Sequence, residues 1–475
     1  MSYTKNSQNF YRSRYLFKRR LKLLSALISV AFLVIIGRFF YLQIFKYDFY
    51  KDLSENNRIA VIPNVPNRGL ILDRNGVIMA DNYFVYSLEI TPSKVTHLNK
   101  TIDNLKPIVE LTPGDLKQFR KVLKESSSLD SIPIKTHLSE TEAARFAANK
   151  LRFEGVEIKS RLFRRYPKGA FASHLIGHIN RINEEDKEAI KKLGWQQNYK
   201  GTDSIGKLGI EKYYETQLHG TTGFQEVEID ANGNSVRILN STPSIEGDSI
   251  TLSIDSNLQE IAENAFNKYR GALVALNPKN GEVLAFVSRP NFDPNQFVGG
   301  IDVDEWKLLN ESLDKPMLNR AINGLYPPGS TIKPFVALAA LENDIRKPPF
   351  NIKDPGFFTL PNSGHTYKDW KPFGHGTVDI VMAITISCDT FFYGLGIELG
   401  INKLSEFLSQ FGFGQNTHID MFGESAGLLP SPEWKQKRFK QPWYLGETVI
   451  TSIGQDRKST RLNSSHEWIS RMPSS

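Results

Sequence analysis

Apolar positions concentrate in one long run near the start of the chain, residues 23–45, whereas later apolar residues recur at the short spacings of helices and strands. As a helix rising 1.5 Å per residue, this run would reach roughly 34 Å, which exceeds the ~30 Å hydrocarbon core of a bilayer. Residues 1–22 contain seven Lys and Arg and no acidic residue. The positive-inside rule therefore predicts a cytoplasmic basic arm at 1–22, a transmembrane anchor at 23–45 and an external remainder. A cleaved signal peptide is one alternative, but the run is long for one and lacks a small-residue cleavage site. A buried core helix is the other, and the cations before the run and the aromatic residues at its end favour an anchor over it.

The pattern of residues 46–246 is polar and mixed, and it contains no cluster of side chains typical of catalysis. Apolar stretches on both sides of "DRNG", residues 73–76, predict a β-hairpin, because Asn-Gly supplies the positive φ of a tight turn. Short helices, one of them at 140–153, and glycine turns follow. We interpret residues 46–246 as a spacer or interaction domain, and name it the pedestal.

A different pattern begins at residue 247 and predicts an α+β domain with an antiparallel sheet over residues 247–455. It opens with a strand, a helix that begins near Asp255 or Ser256, and two apolar strands joined by an Asn-Pro-Lys-Asn-Gly turn. Further helices are predicted from Thr331 and from about Val378.

The net charge of +8 does not indicate a nucleic-acid partner once its distribution is considered. Residues 1–22 carry +7 and residues 456–475 carry +2, which leaves −1 for the body of the chain. The composition therefore does not support a basic groove for phosphates.

The sequence "LYPPGSTIKPF", residues 325–335, breaks the backbone with Pro-Pro-Gly directly before Ser330 and restarts it as a helix. Free amides and the positive dipole of a helix start would stabilise an oxyanion formed by attack of Ser330. Lys333 lies one turn later on the same face, where partial burial would favour its neutral form, able to accept the serine proton. The alternative is an N-cap serine beside a solvated lysine, because Ser-x-x-Lys occurs often by chance.

A second polar interruption, "ISCDTFFY" at residues 386–393, places Ser387 and Asp389 between two apolar helical stretches. The hydroxyl can relay a proton between Lys333 and a leaving amine, and the carboxylate can orient it. The alternative is a helix cap, for which Ser and Asp are suited.

"YPPGSTIKPF" and "SCDTFFY" together resemble the first two of the three active-site motifs of the penicillin-binding transpeptidases. "RGLILDRNG" and "GIEKYYETQLHG" are similar to pedestal motifs of the class B members, and the basic arm, the single anchor and "GHGTVDIVMAI" resemble their elongation-type branch. The resemblance covers about residues 15–455. It implies a single N-terminal transmembrane helix, a mixed dimerisation-type pedestal and an α+β transpeptidase domain similar to serine β-lactamases.

The resemblance also implies an activity, peptidoglycan D,D-transpeptidation during cell elongation and rod-shape maintenance, with the related serine-type D-Ala-D-Ala carboxypeptidase chemistry. Ser330 is then the nucleophile that forms the acyl ester, Lys333 the general base, and Ser387 with Asp389 the second motif. β-Lactams would trap Ser330 as a stable ester. The implied partners are stem peptides, an elongation-complex glycosyltransferase and a periplasmic activator. The implied location is the inner membrane, with the bulk of the chain in the periplasm.

A possible ligand set for a metal surrounds Cys388, whose solitary thiol excludes an internal disulfide framework. Asp354, Asp369, His375 and Cys388 lie within 35 residues and offer carboxylate, imidazole and thiolate groups. Their spacing matches no common zinc signature, and a buried thiol with solvated acids is the alternative. The resemblance implies one structural zinc ion at these positions, because members of the elongation-type branch hold zinc there.

The third motif of the family, Lys-Thr-Gly, is absent from the 475 residues, and Lys135-Thr136 in the pedestal is followed by His137. Residues 456–475 lack apolar periodicity and resemble no continuation of the family. We expect a truncated or shifted reading frame or a foreign tail there, so that residues 247–455 are only the N-terminal part of the transpeptidase domain. We consequently expect the chain as printed to be inactive and poorly folded in its C-terminal domain, because the third motif supplies an oxyanion-hole amide and a sheet edge.

The sequence leaves three alternative functions open. A β-lactamase or β-lactam sensor shares Ser-x-x-Lys, but the long pedestal and the anchor disfavour it. A non-catalytic membrane scaffold on the same fold fits the missing third motif, but not the intact Ser330, Lys333, Ser387 and Asp389. A division-type transpeptidase differs in phenotype, because its depletion gives filaments and not round cells.

Overall fold

The structure is a computed structural model that describes residues 3–48, 50–51, 59–125, 131–229, 235–361 and 363–455. Helix α1 (Tyr3–Phe40) continues into a π-helical turn (Tyr41–Phe45). The stretch Arg20–Phe45 has the length and apolar composition of a membrane span, and its most apolar part is not buried by any of the described residues. Within the described ranges it is the one such stretch, and it lies where the sequence predicts the anchor. The predicted orientation stays a prediction, and the tail at 456–475 lies outside the described residues.

The pedestal contains nine strands and seven helices in its described part. The strands are β1 (Ile59–Asn64), β2 (Ile71–Leu72), β3 (Ile78–Ile90), β4 (Ile132–Leu138), β5 (Val156–Arg165), β6 (Ile179–Arg181), β7 (Ser204–Gly206), β8 (Gly223–Ile229) and β9 (Ser235–Thr242). The helices are α2 (Leu98–Leu105), α3 (Pro113–Glu125), α4 (Glu140–Asn149), α5 (Ser173–Ile176), α6 (Glu184–Lys192), α7 (Gly209–Tyr213) and α8 (Glu215–His219).

Two larger sheets organise the pedestal. In one, β8 lies between β1 and β9, and both pairings are antiparallel. In the other, the long strand β3 pairs with β2, β4 and β5. The predicted β2–β3 hairpin is confirmed, and Gly76 has the positive φ, +82°, that its turn requires.

Asp73, at the end of β2, ties this hairpin to the following domain. Its buried carboxylate accepts hydrogen bonds from the backbone N–H groups of Asn75 (2.8 Å), Val77 (2.8 Å) and Ser256 (3.0 Å). Burial alone would raise the pKa of Asp73, but hydrogen bonds from Ser256, Val77 and Asn75 outweigh it and lower the pKa to about 2. The ionised carboxylate is therefore part of the junction between the two domains.

The second domain combines short strands with helices. Its strands are β10 (Ile250–Thr251), β11 (Gly271–Leu276), β12 (Val283–Arg289), β13 (Asn351–Asp354), β14 (Phe357–Thr359), β15 (Thr366–Lys368) and β16 (Gly376–Asp379). Its helices are α9 (Ser256–Phe266), α10 (Val303–Glu311), α11 (Arg320–Asn323), α12 (Lys333–Glu342), α13 (Ile380–Thr385), α14 (Asp389–Leu399), α15 (Ile401–Ser409), α16 (Pro432–Phe439) and α17 (Leu445–Thr451). The predicted helix start near Asp255 or Ser256 is confirmed, because α9 begins at Ser256 and the Asp255 carboxylate caps it. The predicted antiparallel pair is β11–β12, whereas β10 pairs in parallel with β2 of the pedestal.

Helix α14 forms the centre of the second domain. Phe391, Phe392 and Leu395 are fully buried there, and they belong to one apolar cluster with Val336 of α12 and Val449 of α17. Each such side chain stabilises the fold by roughly 1.5–3 kcal/mol. The packing fixes α12 and α14 relative to each other, and these helices begin at Lys333 and Asp389, within the two candidate motifs.

Two predicted helix starts differ from the structure. The helix expected from Thr331 begins as a 3-10 turn (Gly329–Ile332), and regular α-helix starts only at Lys333, beside Pro334, which has no N–H to donate. The helix expected from about Val378 begins at Ile380, because Val378 lies in β16 opposite Ile352. That pairing joins distant segments, so local periodicity does not reveal it.

Candidate active site

Ser330 is the exposed second residue of the 3-10 turn that leads into α12. The preceding Gly329 has φ of +57°, a conformation that favours glycine, and its N–H donates to the carbonyl of Gly454 at 3.0 Å. A Cβ on Gly454 would lie 2.4 Å from Gly329 O, so the two glycine backbones are in direct contact. The Pro-Pro-Gly break was visible in the sequence, whereas the support from Gly454 was not.

Lys333 lies beneath Ser330 and is almost completely buried, with 1% of its surface exposed. Its Nζ donates to the carbonyl O of Ser387 (2.9 Å), to Ser387 Oγ (3.1 Å) and to Asp389 Oδ1 (2.6 Å). These three acceptors match the three donors of an ammonium group. The sequence predicted that Lys333 lies near Ser330, but it did not reveal these partners.

Ser387 occupies the turn between α13 and α14 with φ of +55°, an uncommon conformation for a residue other than glycine. Its Oγ lies 2.8 Å from Ser330 Oγ. The Ser387 hydroxyl therefore stands between the nucleophile and the buried lysine. Burial raises the pKa of Asp389, and the neighbouring Lys333 ammonium offsets this effect only in part.

The four predicted catalytic side chains thus form one continuous hydrogen-bonded series, Ser330–Ser387–Lys333–Asp389. Its exposed end is a serine hydroxyl and its buried end is an ion pair. Such an arrangement can move a proton away from Ser330 while the positive charge stabilises the developing alkoxide. Their catalytic roles stay predictions.

A second cluster lies directly behind the Ser387 turn and contains the four predicted metal ligands, Asp354, Asp369, His375 and Cys388. One ligand atom from each lies within 4.8 Å of the others. His375 Nδ1 is 2.8 Å from Asp354 Oδ2 and 3.7 Å from Asp369 Oδ1, and Cys388 Sγ is 3.5 Å from Asp354 Oδ2. The structure therefore brings the predicted set together.

Two properties of Cys388 and His375 show how the cluster behaves without a cation. Burial, followed by the nearby Asp369 and Asp354 carboxylates, raises the pKa of the Cys388 thiol to about 12. His375 Nε2 is buried and has no hydrogen-bond partner among the described residues. A cation would reverse the first effect, because it stabilises thiolate.

A hydrogen bond that the sequence did not reveal joins the cluster of four predicted metal ligands to the second motif. Asp369 Oδ2 accepts from the backbone N–H of Thr390 at 2.9 Å, in the first turn of α14. Asp369 thus connects the loop after β15 to the helix that follows Ser387.

Comparison with known families identifies both domains. The family model of the penicillin-binding protein dimerisation domain matches residues 63–252, and that of the penicillin-binding protein transpeptidase domain matches residues 271–463. The chain belongs to the penicillin-binding proteins. The predicted α+β fold with a dimerisation-type pedestal and a transpeptidase domain is confirmed. The exact domain boundaries stay predictions.

The similar proteins place the chain near one branch of the penicillin-binding proteins. The peptidoglycan D,D-transpeptidase MrdA of Acinetobacter baumannii is 42% identical over 448 residues, 94% of this chain and 66% of the relative. MrdA of Escherichia coli K12 is 43% identical over 422 residues, 89% of this chain and 67% of the relative. The chain therefore spans about two thirds of the length of these curated relatives.

A solved structure agrees with this placement. The complex between penicillin-binding protein PBP2 and MreC from Helicobacter pylori has a TM-score of 0.73 and 31% identity, and it covers 84% of this chain and 74% of that chain. The predicted resemblance to the elongation-type penicillin-binding proteins is confirmed.

Proposed function

We propose that this chain is an elongation-type peptidoglycan D,D-transpeptidase that cross-links stem peptides through an acyl-enzyme on Ser330. The observation that carries the proposal is the hydrogen-bonded series from exposed Ser330 through Ser387 to buried Lys333. The curated relatives, named peptidoglycan D,D-transpeptidases, support the reaction class.

In the acylation step, Ser330 Oγ attacks the carbonyl carbon of the penultimate D-alanine of a stem peptide. An ester forms, and the peptide bond to the terminal D-alanine breaks. The Ser330 proton passes to Ser387 Oγ, 2.8 Å away, and Ser387 gives a proton to the departing amine. As the predicted general base, Lys333 would start from its neutral form, take the Ser330 proton through Ser387 and return it by the same path to the departing amine. The charge that Lys333 carries between these two transfers stabilises the developing oxyanion.

In the transfer step, the amine of a neighbouring stem peptide attacks the Ser330 ester. A new peptide bond forms, the ester bond breaks, and the amine proton returns to Ser330 Oγ through Ser387. A β-lactam would acylate the same oxygen by opening its ring amide, so that the leaving amine stays attached and the ester persists. The backbone N–H of Ser330, in the first turn, is suited to stabilise the oxyanion in each step.

We further propose that the 475-residue chain needs a third-motif strand to be acylated, since Lys-Thr-Gly does not occur in it. That strand would provide a second oxyanion donor, and loss of one such donor lowers a rate by about 10²–10³. We therefore expect the 475-residue chain to be inactive. We expect the same site to become active when a third-motif strand is added.

The test compares the 475-residue chain with a fusion chain, residues 1–455 followed by the C-terminal part of E. coli MrdA that carries the third motif. Release of D-alanine from a stem pentapeptide, and its exchange for an added amine, are measured. We expect both for the fusion chain, neither for its Ser330→Ala variant, and little for the 475-residue chain. Rapid turnover of penicillin without D-alanine release would favour a β-lactamase, and absence of both from a folded fusion chain would favour a scaffold.

We also propose that Asp354, Asp369, His375 and Cys388 hold one structural zinc ion. The donor set of one thiolate, one imidazole and two carboxylates suits zinc, and one ligand atom from each residue lies within 4.8 Å of the others. The ion would supply a cross-link between the 354–376 loop and the start of α14. It takes no part in the proton transfers above.

Zinc content by mass spectrometry tests this second proposal. One equivalent per chain is expected, with loss in the His375→Ala variant and retention in His365→Ala, which changes an exposed histidine of the same loop. A chelator should lower the Tm of the parent chain and of His365→Ala, but not that of His375→Ala. Equal zinc contents in all three chains would refute the site.

We infer a single-pass location in the inner membrane, with the N-terminus in the cytoplasm and the bulk in the periplasm. The apolar stretch Arg20–Phe45 and the basic residues before it support this orientation. Since the H. pylori PBP2 is solved in complex with MreC, a periplasmic activator of that kind is the proposed pedestal partner, beside an elongation-complex glycosyltransferase.

A further inference from the structure

Trp370 is a large aromatic side chain that lies outside the apolar core of its domain. It follows Asp369 on the loop between β15 and β16, and 62% of its surface is exposed. Its indole Nε1–H donates to the backbone carbonyl of Ile386 at 3.2 Å. Ile386 is the residue directly before Ser387, so the indole reaches the turn that carries the relay hydroxyl.

The peptide unit between Ile386 and Ser387 is held from both sides. Its carbonyl accepts from Trp370, and its N–H, that of Ser387, donates to Ile384 O at 3.2 Å. Rotation about the N–Cα bond of Ser387 turns this peptide unit and defines φ. A change of φ from +55° to the commoner negative region would therefore reorient both hydrogen bonds.

The conformation of Ser387 decides the geometry of the active site. At φ of +55°, Ser387 presents both its Oγ and its carbonyl O to Lys333 Nζ, and its Oγ to Ser330 Oγ. Because this region of φ is disfavoured for serine, surrounding contacts have to maintain it. The indole hydrogen bond is one such contact, and it comes from outside the helices that carry the two motifs.

We propose that Trp370 is a positioning residue, whose indole N–H fixes the peptide unit before Ser387 and so holds the relay hydroxyl between Ser330 and Lys333. Trp370 acts through the backbone and not by touching the reacting atoms. Its contribution to acyl transfer rests on the proposed function, whereas its effect on the turn does not.

The first test is hydrogen–deuterium exchange of peptide 383–391 in the 475-residue chain. Trp370→Phe keeps an aromatic ring but removes the indole donor. We expect the amides of this peptide to exchange roughly five- to tenfold faster in Trp370→Phe, the factor that loss of one hydrogen bond corresponds to. Trp306→Phe changes another exposed tryptophan, on α10, and should leave this exchange unchanged. Exchange equal to the parent in Trp370→Phe would overturn the proposal even if the chain is never acylated.

The second test separates positioning from ligand binding in the fusion chain. The rate constant for acylation by penicillin should fall roughly five- to tenfold in both Trp370→Phe and Trp370→Ala, with little change in the Kd of the preceding complex. A loss confined to Trp370→Ala, expressed in Kd, would show instead that the ring contacts the ligand. Faster exchange with an unaltered acylation rate would restrict Trp370 to a structural role and likewise overturn the proposal.

Discussion

Ser330 Oγ and Ser387 Oγ lie 2.8 Å apart in hydrogen-bond contact, although they belong to different motifs, 57 residues apart in sequence. One serine is exposed at the start of a helix, and the other reaches it from a left-handed turn. Because Ser387 Oγ also lies 3.1 Å from Lys333 Nζ, hydrogen bonds connect the nucleophile to the buried lysine through the Ser387 hydroxyl.

Replacement of Ser387 by alanine should therefore slow acylation without unfolding the domain. The relay oxygen disappears while Ser330 and Lys333 stay in place, and loss of a positioned proton-transfer group costs about 10²–10⁴ in rate. Acylation of the fusion chain by a fluorescent penicillin, followed over time, provides the measurement. Ser409→Ala, which alters a half-buried serine at the end of α15, serves as control and should react like the parent. A Ser387→Ala variant that reacts at the parental rate would remove the relay from the account.

Removal of the Lys333 charge should destabilise the second domain. Lys333→Ala would leave the Asp389 carboxylate, 17% exposed, without its cation, and such losses cost about 3–5 kcal/mol. Asp389→Asn keeps the shape but leaves the Lys333 ammonium, 1% exposed, without its opposing charge, so a decrease in Tm of similar size is expected. Lys187→Ala, which breaks an exposed pair with Glu184, should change stability by about 0.5 kcal/mol or less. Equal Tm values for the Lys333 and Lys187 variants would contradict the buried ion pair.

A side chain at Gly454 should disturb the nucleophile turn. Gly454 has φ of +70°, and a Cβ there would meet Gly329 O at 2.4 Å, so Gly454→Ala combines backbone strain with a direct clash. Gly427 has φ of +75° with no atom within 4 Å of its Cβ position, which makes Gly427→Ala a control for strain alone. We expect Gly454→Ala, but not Gly427→Ala, to lower the acylation rate of the fusion chain at least tenfold. The prediction fails if the two variants lose activity equally.

The Asp73 carboxylate should make stability depend on acid pH. Its folded pKa of about 2 lies below the ordinary value near 4, so its contribution is complete above about pH 4 and is lost as the pH falls toward 2. The Tm of the parent chain should therefore fall more steeply between pH 4 and 2 than that of Asp73→Asn. At pH 7 the variant should be less stable by about 1–3 kcal/mol, because it weakens buried hydrogen bonds to three N–H groups.

Asp103→Asn provides the comparison for this pH profile. Asp103 belongs to an exposed pair with Lys106, so its replacement should leave the acid-dependent slope of the parent unchanged. Parallel profiles for the parent and Asp73→Asn would show that the hydrogen bonds of Asp73 do not stabilise its ionised form.

The parts of the site that were predicted from sequence are those set by local geometry. Ser330 and Lys333 are one helical turn apart, so their common face follows from spacing, and the Ser387 interruption follows from the loss of apolar periodicity. The contacts of Gly454 with Gly329 and of Trp370 with Ile386 depend on how remote segments pack. Neither motif spacing nor composition contains that information.

The four predicted metal ligands and the helix predicted from about Val378 also depend on contacts between segments that are far apart in the sequence. The sequence supplied four candidate ligands without a recognised spacing, and their convergence required β13, β15 and β16 to bring two loops to the start of α14. Strand β16 itself was missed, because its partner β13 precedes it by more than twenty residues. Short strands of this kind are defined by their partners and not by their own pattern.

Ser330 is the residue that we expect to be acylated at this site. Labelling of the fusion chain with a fluorescent penicillin, followed by proteolysis and mass spectrometry, tests it most directly. We predict a single stable adduct on Ser330, absent from Ser330→Ala and strongly slowed in Ser387→Ala. A folded fusion chain that acquires no adduct, or acquires it on a different residue, would contradict the account.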